Sequence, residues 1–307
     1  MITEHVAGDP MHENVIWTNL SLNEIAHRMT KAGTAVSPFV AKQLVADFGL
    51  GRRKARRQKA TGPSSPHRNE QFEHIADLKQ QYFDAGNPVI SMDTKKKEYL
   101  GNLYRDGQLF TTADIEVYDH DFLRLTEGIL IPHGIYDLGR NVGHVNLGLS
   151  HDTSEFACAS LGYWWRQFGR RHYPQADSLL VLCDAGGSHD ARHWIFKEDL
   201  QNLANRLGIE IRIAHYPPYC SKYTPIDHRF FPHVTRALQG VIFRSVKLVT
   251  HLIRQTRTNT GLRATAHVIR KMFQTKRKTS DEFRNNIPIV FDTILPQWNY
   301  KAVPQLI

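Results

Sequence analysis

The sequence predicts a mixed α/β fold, with helices on both faces of one sheet, preceded by a small helical module. Two apolar runs of strand length, residues 88–93 and 178–184, each end on an aspartate. After residue 88 the pattern predicts three strands and then alternating helices and strands, an order that favours a mixed sheet. Between residues 21 and 48 the apolar spacing is helical instead. We therefore expect a helical module followed by a larger α/β domain.

The composition excludes several classes of protein. The chain has 307 residues, of which 41% are hydrophobic, enough for a core domain of about 200 residues and a smaller module. It contains no apolar run of about 18 residues that would span a bilayer, and its first ten residues do not resemble a signal peptide. Its three cysteines, Cys158, Cys183 and Cys220, lack C-x-x-C spacing, which favours reduced thiols in a cytoplasmic protein.

The charge of the chain favours a polyanionic partner. The formal net charge is +9 at pH 7, but mildly basic proteins are common, so the distribution of the cations is more informative. Six cations lie within eight residues: Arg52, Arg53, Lys54, Arg56, Arg57 and Lys59. A second run, Lys95 to Lys97, follows the first strand-end aspartate. Such clusters provide salt-sensitive, sequence-independent affinity for nucleic-acid phosphates.

Residues 1–60 are predicted to form a helix-turn-helix-like DNA-binding module after a loose leader at residues 1–15. Ser21 and Glu24 have the spacing of a capping box that begins the first helix, and Ser37 caps the second. The predicted apolar stripe of the second helix consists of Val40, Leu44, Val45 and Phe48. This helix is expected to enter the major groove, with the arginine cluster on the phosphates. The alternative is an ordinary helical hairpin.

Residues 61–85 are predicted to contain a linker and a helix. The segment 60–68 is rich in glycine, proline and serine, as linkers are, and a helical pattern returns from Asn69 to about Ala85. The first strand follows, with a predicted hairpin partner at residues 99–110. Residues 111–131 are expected to be an irregular insertion.

The larger domain, residues 86–300, has the element order of a ribonuclease-H-like fold. Further strands are predicted at residues 134–141, 144–149, 178–184 and 209–215, and helices at residues 152–168, 193–207 and from Pro225 onward. An antiparallel meander followed by βα units matches a mixed sheet of five strands with helices on both faces.

Three aspartates lie at the ends of elements in this layout. Asp93 ends the first strand, Asp184 ends the fourth, and Asp227 lies where a loop enters the helix after the fifth. Neighbouring carboxylates repel each other, so three together imply a bound cation. Oxygen ligands suit Mg²⁺ or Mn²⁺, and a pair of such ions catalyses phosphodiester displacement. We therefore predict that these three aspartates are the catalytic residues and metal ligands of an enzyme acting on nucleic acid.

Other interpretations of these residues are simpler. An aspartate at the end of a strand is more often a turn former than a ligand, so the prediction of a metal site depends on the fold. His189 and His193 have the i,i+4 spacing of a metal pair but lack a third ligand, and we disfavour them. Trp164 and Trp165 are expected to lie in the core and at the rim of a helix rather than to stack on bases.

The cations near the aspartates are predicted to contact DNA, although a solvated loop is the simple alternative for those beside Asp227. Lys95 and Lys96 follow Asp93, whereas Lys222 and Arg229 flank Asp227. Together with the arginine cluster, they are the predicted DNA-binding residues.

Seven motifs occur in a specific combination: Val89–Glu98, Tyr136–Asn141, His151–Phe156, Asp184–Ser188, Ser221–Arg229, Thr258–Leu262 and Trp298–Tyr300. Together they closely resemble the ISAzo-type insertion-sequence transposases, which carry the Rhodopirellula-type DDE transposase domain. The similarity extends from about residue 8 to residue 300.

The resemblance implies DNA cleavage and strand transfer on a ribonuclease-H-like core with a divalent-metal triad. The first and second aspartates of the family correspond to Asp93 and Asp184. The third acid, usually a glutamate before His-Arg, corresponds to Asp227, which is shorter by one methylene. Family members usually have a further N-terminal helix-turn-helix region, so we expect this chain to be a copy that begins after it.

We therefore predict a DNA transposase that uses Mg²⁺ or Mn²⁺, with two ions expected. Its partners are expected to be double-stranded DNA, at transposon ends and target, and further copies of itself on that DNA. It is expected to be cytoplasmic and associated with the nucleoid. The alternatives are a ribonuclease-H-like nuclease or resolvase, and an inactive, truncated remnant that only binds DNA.

Overall fold

The computed structural model describes residues 7–9, 12–18, 20–52, 66–119 and 122–305. The chain divides into two compact units, Met1–Thr61 and Gly62–Ile307. Residues 60–65 of the predicted linker lie outside the described residues. Among the described helices, none has the length and apolar character needed to cross a membrane.

The first unit begins with a short β-hairpin. Strand β1 (Ala7–Asp9) pairs antiparallel with β2 (His12–Trp17). The prediction of a loose leader at residues 1–15 is therefore wrong for the described part of that segment. The error arose because this pairing depends on backbone hydrogen bonds between short strands, which leave little apolar periodicity in the sequence.

Two capped helices follow. Helix α1 (Leu22–Lys31) begins with the predicted capping box, in which the Ser21 hydroxyl accepts a hydrogen bond from the Glu24 N–H. In return, the Glu24 carboxylate accepts one from the Ser21 N–H at 2.7 Å. Helix α2 (Pro38–Asp47) is capped by the Ser37 hydroxyl. Local side-chain chemistry therefore determines where both helices begin.

The face that α2 buries differs from the predicted apolar stripe. Ala41 is completely buried and packs with Ile25 and Ala26 of α1. Three residues of the predicted stripe are exposed instead: Val40, Leu44 and Phe48. Val40 lies about 100° and Leu44 about 60° around the helix from Ala41, and Phe48 follows the end of the helix. The face of α2 that packs on α1 instead runs through Ala41 and the partly buried Val45.

The second unit contains the remaining elements. It begins with α3 (Arg68–Asp84), β3 (Val89–Thr94), β4 (Glu98–Leu100), β5 (Gly128–Asp137) and β6 (Val142–Gly148). Next come α4 (Ser154–Trp164), one π-helical turn (Trp165–Gly169), α5 (Arg170–His172), β7 (Ser178–Cys183), α6 (Trp194–Leu207) and β8 (Glu210–His215). It ends with α7 (Pro225–Arg229), α8 (Phe231–Leu238), α9 (Val246–Arg254), β9 (Arg263–Ile269), α10 (Asp281–Asn285), β10 (Ile289–Phe291) and β11 (Asn299–Ala302).

The central strands have the ribonuclease-H-like order β6-β5-β3-β7-β8. Strands β3, β5 and β6 form an antiparallel meander, and β7 and β8 run parallel to β3. The predicted fold class is confirmed, but the count of five strands is wrong for the described sheet, which has nine. Strand β9 extends it beside β6, β11 and β10 extend it beyond β8, and β4 pairs with β5.

The predicted hairpin partner at residues 99–110 is wrong. Strand β4 covers Glu98–Leu100 and ends at Gly101, whose φ of 125° favours glycine. The antiparallel partner of β3 is β5, with Asp93 opposite Gly134. The pairing thus skips about 30 residues of irregular chain, which sequence spacing does not predict.

Both faces of the central sheet are covered by helices. Ile90 and Met92 of β3 pack in a cluster with residues of α4 and α6, whereas Val89 packs with α3 on the opposite face. Every residue of β7 is buried, because a strand covered on both faces needs apolar side chains at every position. Trp164 lies in the core, and Trp165, for which the rim of the helix was predicted, is buried there too.

Candidate active site

Two of the predicted aspartates meet at the carboxyl edge of neighbouring parallel strands. Asp93 is the next-to-last residue of β3, and Asp184 directly follows β7. The two strands pair in parallel with Ser91 opposite Leu182. Continuing this register by two residues places Asp184 beside Asp93. The sheet therefore positions both carboxyl groups through rigid backbone pairing.

The third aspartate reaches the same region from α7. The Ile226 N–H donates a hydrogen bond to the Ser91 hydroxyl at 3.3 Å, which attaches the start of α7 to β3. The Thr224 hydroxyl donates to Asp227 Oδ2 at 2.6 Å. The charge of Asp227 raises the pKa of Asp93, so the two carboxyl groups interact electrostatically.

Glycines in the sheet permit this close approach of α7 and α8. A methyl group on Gly143 of β6 would lie 2.0 Å from the ring of Phe230. One on Gly134 of β5 would lie 2.5 Å from the ring of Phe231. The missing side chains therefore make room for the two aromatic rings that follow Asp227.

A buried histidine completes the cluster around Asp184. His189 is 1% exposed and lies at the end of a 3₁₀ turn, Gly187–His189. Its Nε2 lies 2.9 Å from Asp184 Oδ1 and 3.8 Å from Asp93 Oδ1. His193, by contrast, is exposed at the start of α6. His189 and His193 therefore do not form the i,i+4 metal pair that the sequence analysis disfavoured, and His189 contacts the aspartates instead.

Sequence reasoning missed this role of His189, although a local signal exists. Between Asp184 and His189 lies Ala-Gly-Gly-Ser, and Gly187 has a φ of 70°. A glycine in this left-handed region turns the chain back sharply. Such a turn brings a histidine five residues after a strand-end aspartate back to within hydrogen-bonding distance of that aspartate.

The pKa values reflect burial and mutual charge. Burial raises the pKa of Asp93 to about 7, and the Asp184 and Asp227 carboxylates raise it while His189 lowers it. Burial raises the pKa of Asp184, but its hydrogen bond to His189 and the charge of that ring outweigh this and lower it. Burial lowers the pKa of His189, but its bond to Asp184 and the charges of the nearby aspartates together outweigh this and raise it. Burial also raises the pKa of Asp227.

The donor set fits a divalent cation. One ligand atom from each of Asp93, Asp184 and His189 lies within 4.8 Å of the others. Carboxylate oxygens suit Mg²⁺ and Mn²⁺, whereas the His189 Nε2 is engaged with Asp184 Oδ1 at 2.9 Å. The pKa of Asp93 is raised first by burial and then by the charges of Asp184 and Asp227, and a bound cation would offset the repulsion between these carboxylates. Asp227 lies outside this tight group and near enough to interact with it.

The predicted DNA-binding residues fall into two groups. Five of them lie outside the described residues: Arg53, Lys54, Arg56, Arg57 and Lys59. Of the others, Arg52, Lys96, Lys222 and Arg229 are exposed. Lys95 is partly buried and donates to Glu98 at 2.6 Å. The exposed cations near the aspartates therefore remain predicted DNA contacts.

Comparison with known families identifies the chain. Residues 1–304 match the family model described as the Rhodopirellula transposase DDE domain. The chain belongs to this transposase family. Because the match covers nearly the whole sequence, it confirms the resemblance carried by the seven motifs. The protein is a DDE-type transposase with a ribonuclease-H-like fold.

Among solved structures, the transposase is similar to complexes of the Mos1 transposase. One is a pre-cleavage Mos1 transpososome, with 13% identity, 79% of this chain and 72% of that chain covered, and a TM-score of 0.45. Mos1 paired-end complexes with Mg and with Mn have the same coverage, with identities of 14% and 15% and TM-scores of 0.45 and 0.44. No curated protein matches the transposase significantly in sequence.

Proposed function

We propose that this transposase cleaves DNA at the ends of its transposon and joins the freed strand to target DNA, with Asp93, Asp184 and Asp227 as its catalytic acids. The observation that carries this proposal is the side-by-side position of Asp93 and Asp184 after neighbouring parallel strands. The electrostatic influence of Asp227 on Asp93 supports its inclusion.

The proposed cofactor is Mg²⁺ or Mn²⁺, with two ions. Asp93 and Asp184 would hold both ions, and Asp227 would hold one. When bound, such ions supply Lewis acidity for in-line displacement at phosphorus. His189 keeps one oxygen of Asp184 occupied by a hydrogen bond, and Thr224 does the same for Asp227. These bonds orient both carboxyl groups.

The proposed reaction has two phosphoryl-transfer steps without a covalent protein intermediate. In the first, water attacks the phosphodiester at the transposon end and displaces the 3′-oxygen, which leaves a 3′-hydroxyl and a 5′-phosphate. In the second, this 3′-hydroxyl attacks a phosphodiester of the target and displaces the 3′-oxygen there. Positioning and charge stabilisation account for most catalysis in such transfers, which suits a site built on rigid strand ends.

The DNA partners are proposed from charge. Lys96, Lys222 and Arg229 are exposed near the aspartates and would contact phosphates, and residues 1–60 would grip duplex DNA. In this proposal residues 61–85 connect that module to the catalytic domain at residues 86–300. Cleavage at two transposon ends calls for a homo-oligomer on DNA, and such a substrate implies association with the nucleoid.

Charge-neutral variants of the two strand-end acids test the proposal. Labelled transposon-end duplexes are incubated with protein, Mg²⁺ or Mn²⁺ and a plasmid target, and cleaved and joined products are separated. Asp93→Asn and Asp184→Asn should lower cleavage by at least about 100-fold, because the metal ligands are lost, while DNA binding is kept. The matched control is Asp114→Asn, an exposed aspartate of the insertion, which should cleave normally.

Each outcome has a distinct meaning. Normal nicking by either strand-end variant would contradict the catalytic assignment. Hydrolysis without joined products from pre-cleaved ends would favour a nuclease or resolvase. If the wild-type protein binds DNA without cleaving it, and Asp227→Glu restores cleavage, the native chain is an inactive remnant.

A further inference from the structure

A basic cleft in the second unit is lined by chain segments that continue from the candidate active site. Its volume is about 820 Å³. One wall is the chain that follows Asp93, from Lys95 to Tyr99, together with residues 103–106. The other wall is α8, which directly follows the helix that carries Asp227. The cleft is therefore bounded by the continuations of two elements that carry the proposed catalytic acids.

The cleft is strongly positive. Five cations line it, Lys95, Lys96, Lys97, Arg105 and Arg236, against two acids, Glu98 and Asp106. Glu98 is 8% exposed and accepts hydrogen bonds from Lys95 at 2.6 Å and from Arg105 at 2.7 Å. Lys96, Lys97 and Arg236 form no ion pair with any residue that the structure describes. Their charges are available to an anionic ligand.

Arg105 is held rigidly at the cleft. In addition to its bond to Glu98, its guanidinium carbon lies 3.4 Å from the centre of the Phe243 ring. An arginine restrained by a carboxylate and an aromatic ring loses little further freedom on binding a phosphate. Tyr104 also lines the cleft and is 50% exposed. An exposed ring beside fixed cations is the combination that binds unpaired nucleotides by stacking and charge.

We propose that this cleft binds one or two unpaired nucleotides of the DNA substrate, with phosphates on Lys96, Lys97 and Arg236 and a base on Tyr104. The inference rests on the proposed function, because it assumes a DNA strand at the aspartates. The volume of the cleft is that of a site for a ligand of nucleotide size. In this proposal the strand that enters it is separated from its complement.

Equilibrium binding to two DNA forms tests this. One is a blunt transposon-end duplex, and the other has the same duplex with a two-nucleotide single-stranded extension, both read by fluorescence anisotropy without metal. The wild-type protein should bind the extended form more tightly. Arg236→Ala and Tyr104→Ala should each weaken binding of that form by about tenfold and leave the blunt duplex within twofold. Arg244→Ala is the matched control, since Arg244 is exposed and does not line the cleft.

Two further measurements identify the contacts. Arg236→Ala should reduce the dependence of log affinity on log salt by about 0.7 for the extended form, the value for one phosphate on a single strand. Photocrosslinking of 5-iodouracil in the extension should label Tyr104 or a neighbouring cleft residue. If the DNA strand is the ligand, a free mononucleotide should compete only weakly with the extended duplex for binding. Tight binding of the mononucleotide would overturn the assignment to DNA.

The outcomes separate this inference from the proposed function. Equal binding of both forms by the wild-type protein, or equal losses on both forms in the variants, would overturn the cleft assignment even if cleavage occurs. If the wild-type protein prefers the extended form, the variants lose that preference, and no cleavage occurs, the cleft assignment is supported and the catalytic proposal is contradicted.

Discussion

Asp184 is the best-restrained carboxyl group of the candidate site. Its Oδ1 accepts hydrogen bonds from His189 Nε2 at 2.9 Å and from the Gly186 N–H at 3.2 Å. Both donors belong to the turn that immediately follows the strand. The carboxylate is therefore oriented by its own local chain before any ligand binds, which reduces the cost of ordering it on binding.

Replacing His189 should weaken metal binding through Asp184. His189→Leu removes the donor and should lower the affinity for Mn²⁺ by about 10- to 100-fold, the range for partners that orient a metal ligand. His189→Gln keeps an amide donor near the position of Nε2 and should lose much less. Titration calorimetry with Mn²⁺, without DNA, measures both variants. Equal losses in the two would contradict a role through the hydrogen bond, and wild-type affinity in His189→Leu would contradict any role.

At the scale of elements, the seating of α7 and α8 on the meander positions Asp227. Phe230 is completely buried and packs over Gly143. The helix start is attached to β3 by the bond from Ile226 to Ser91. Asp227 thus depends on a packing contact with β6, a strand that carries none of the proposed catalytic acids.

Gly143→Ala should therefore reduce both stability and cleavage. The added methyl group would lie 2.0 Å from the Phe230 ring, and overpacking of this kind typically costs about 1–3 kcal/mol. Because relief of the clash moves the segment after Asp227, cleavage should fall more than DNA binding. Thermal unfolding and the cleavage assay measure the two effects.

The matched control is Gly128→Ala in β5. There the nearest heavy atom would be the side-chain Leu100 Cδ1 at 3.3 Å, so a small adjustment suffices. This variant should be within about 0.5 kcal/mol of the wild-type protein. Equal destabilisation by both substitutions would show that loss of glycine in a strand, and not the Phe230 contact, is responsible.

At the scale of the whole molecule, buried histidines make the fold sensitive to acid. Burial lowers the pKa of His133 and of His215 to about 3, and that of His144 to about 4. An unfolded histidine has a pKa near 6.5. Between these values the unfolded chain binds more protons than the folded one, so each histidine makes the fold less stable as the pH falls.

Replacing one of them isolates this effect. His133→Leu should reduce the loss of unfolding free energy between pH 7 and pH 5 by about 2 kcal/mol, since one proton contributes about 1.4 kcal/mol per pH unit below 6.5. Ser160 keeps a hydrogen bond from Asn146 in this variant. The comparison is made as a difference from the wild-type protein because Asp93, with its raised pKa, acts in the opposite direction. Urea unfolding at both pH values measures it, and parallel pH dependences would contradict it.

Local chemistry was predictable wherever a few neighbouring residues determine the structure. The capping box of Ser21 and Glu24, the helix α3 and the strand that Asp184 follows all result from short-range periodicity or hydrogen bonding. The positions of Asp93 and Asp184 on adjacent parallel strands follow from the element order, once that order indicates the fold. Their catalytic role, with Asp227, stays a prediction.

By itself, then, the sequence determined the α/β order, the helix starts and the acids at strand ends, because these depend on residues close together in the chain. The tertiary structure alone decided that β3 pairs with β5, that α2 buries Ala41, and that His189 joins the aspartates. It also decided the nine-stranded width of the described sheet. These features depend on backbone pairing and burial between distant segments. The free energy of those contacts is set by which surfaces exclude water together, and no local sequence pattern determines it.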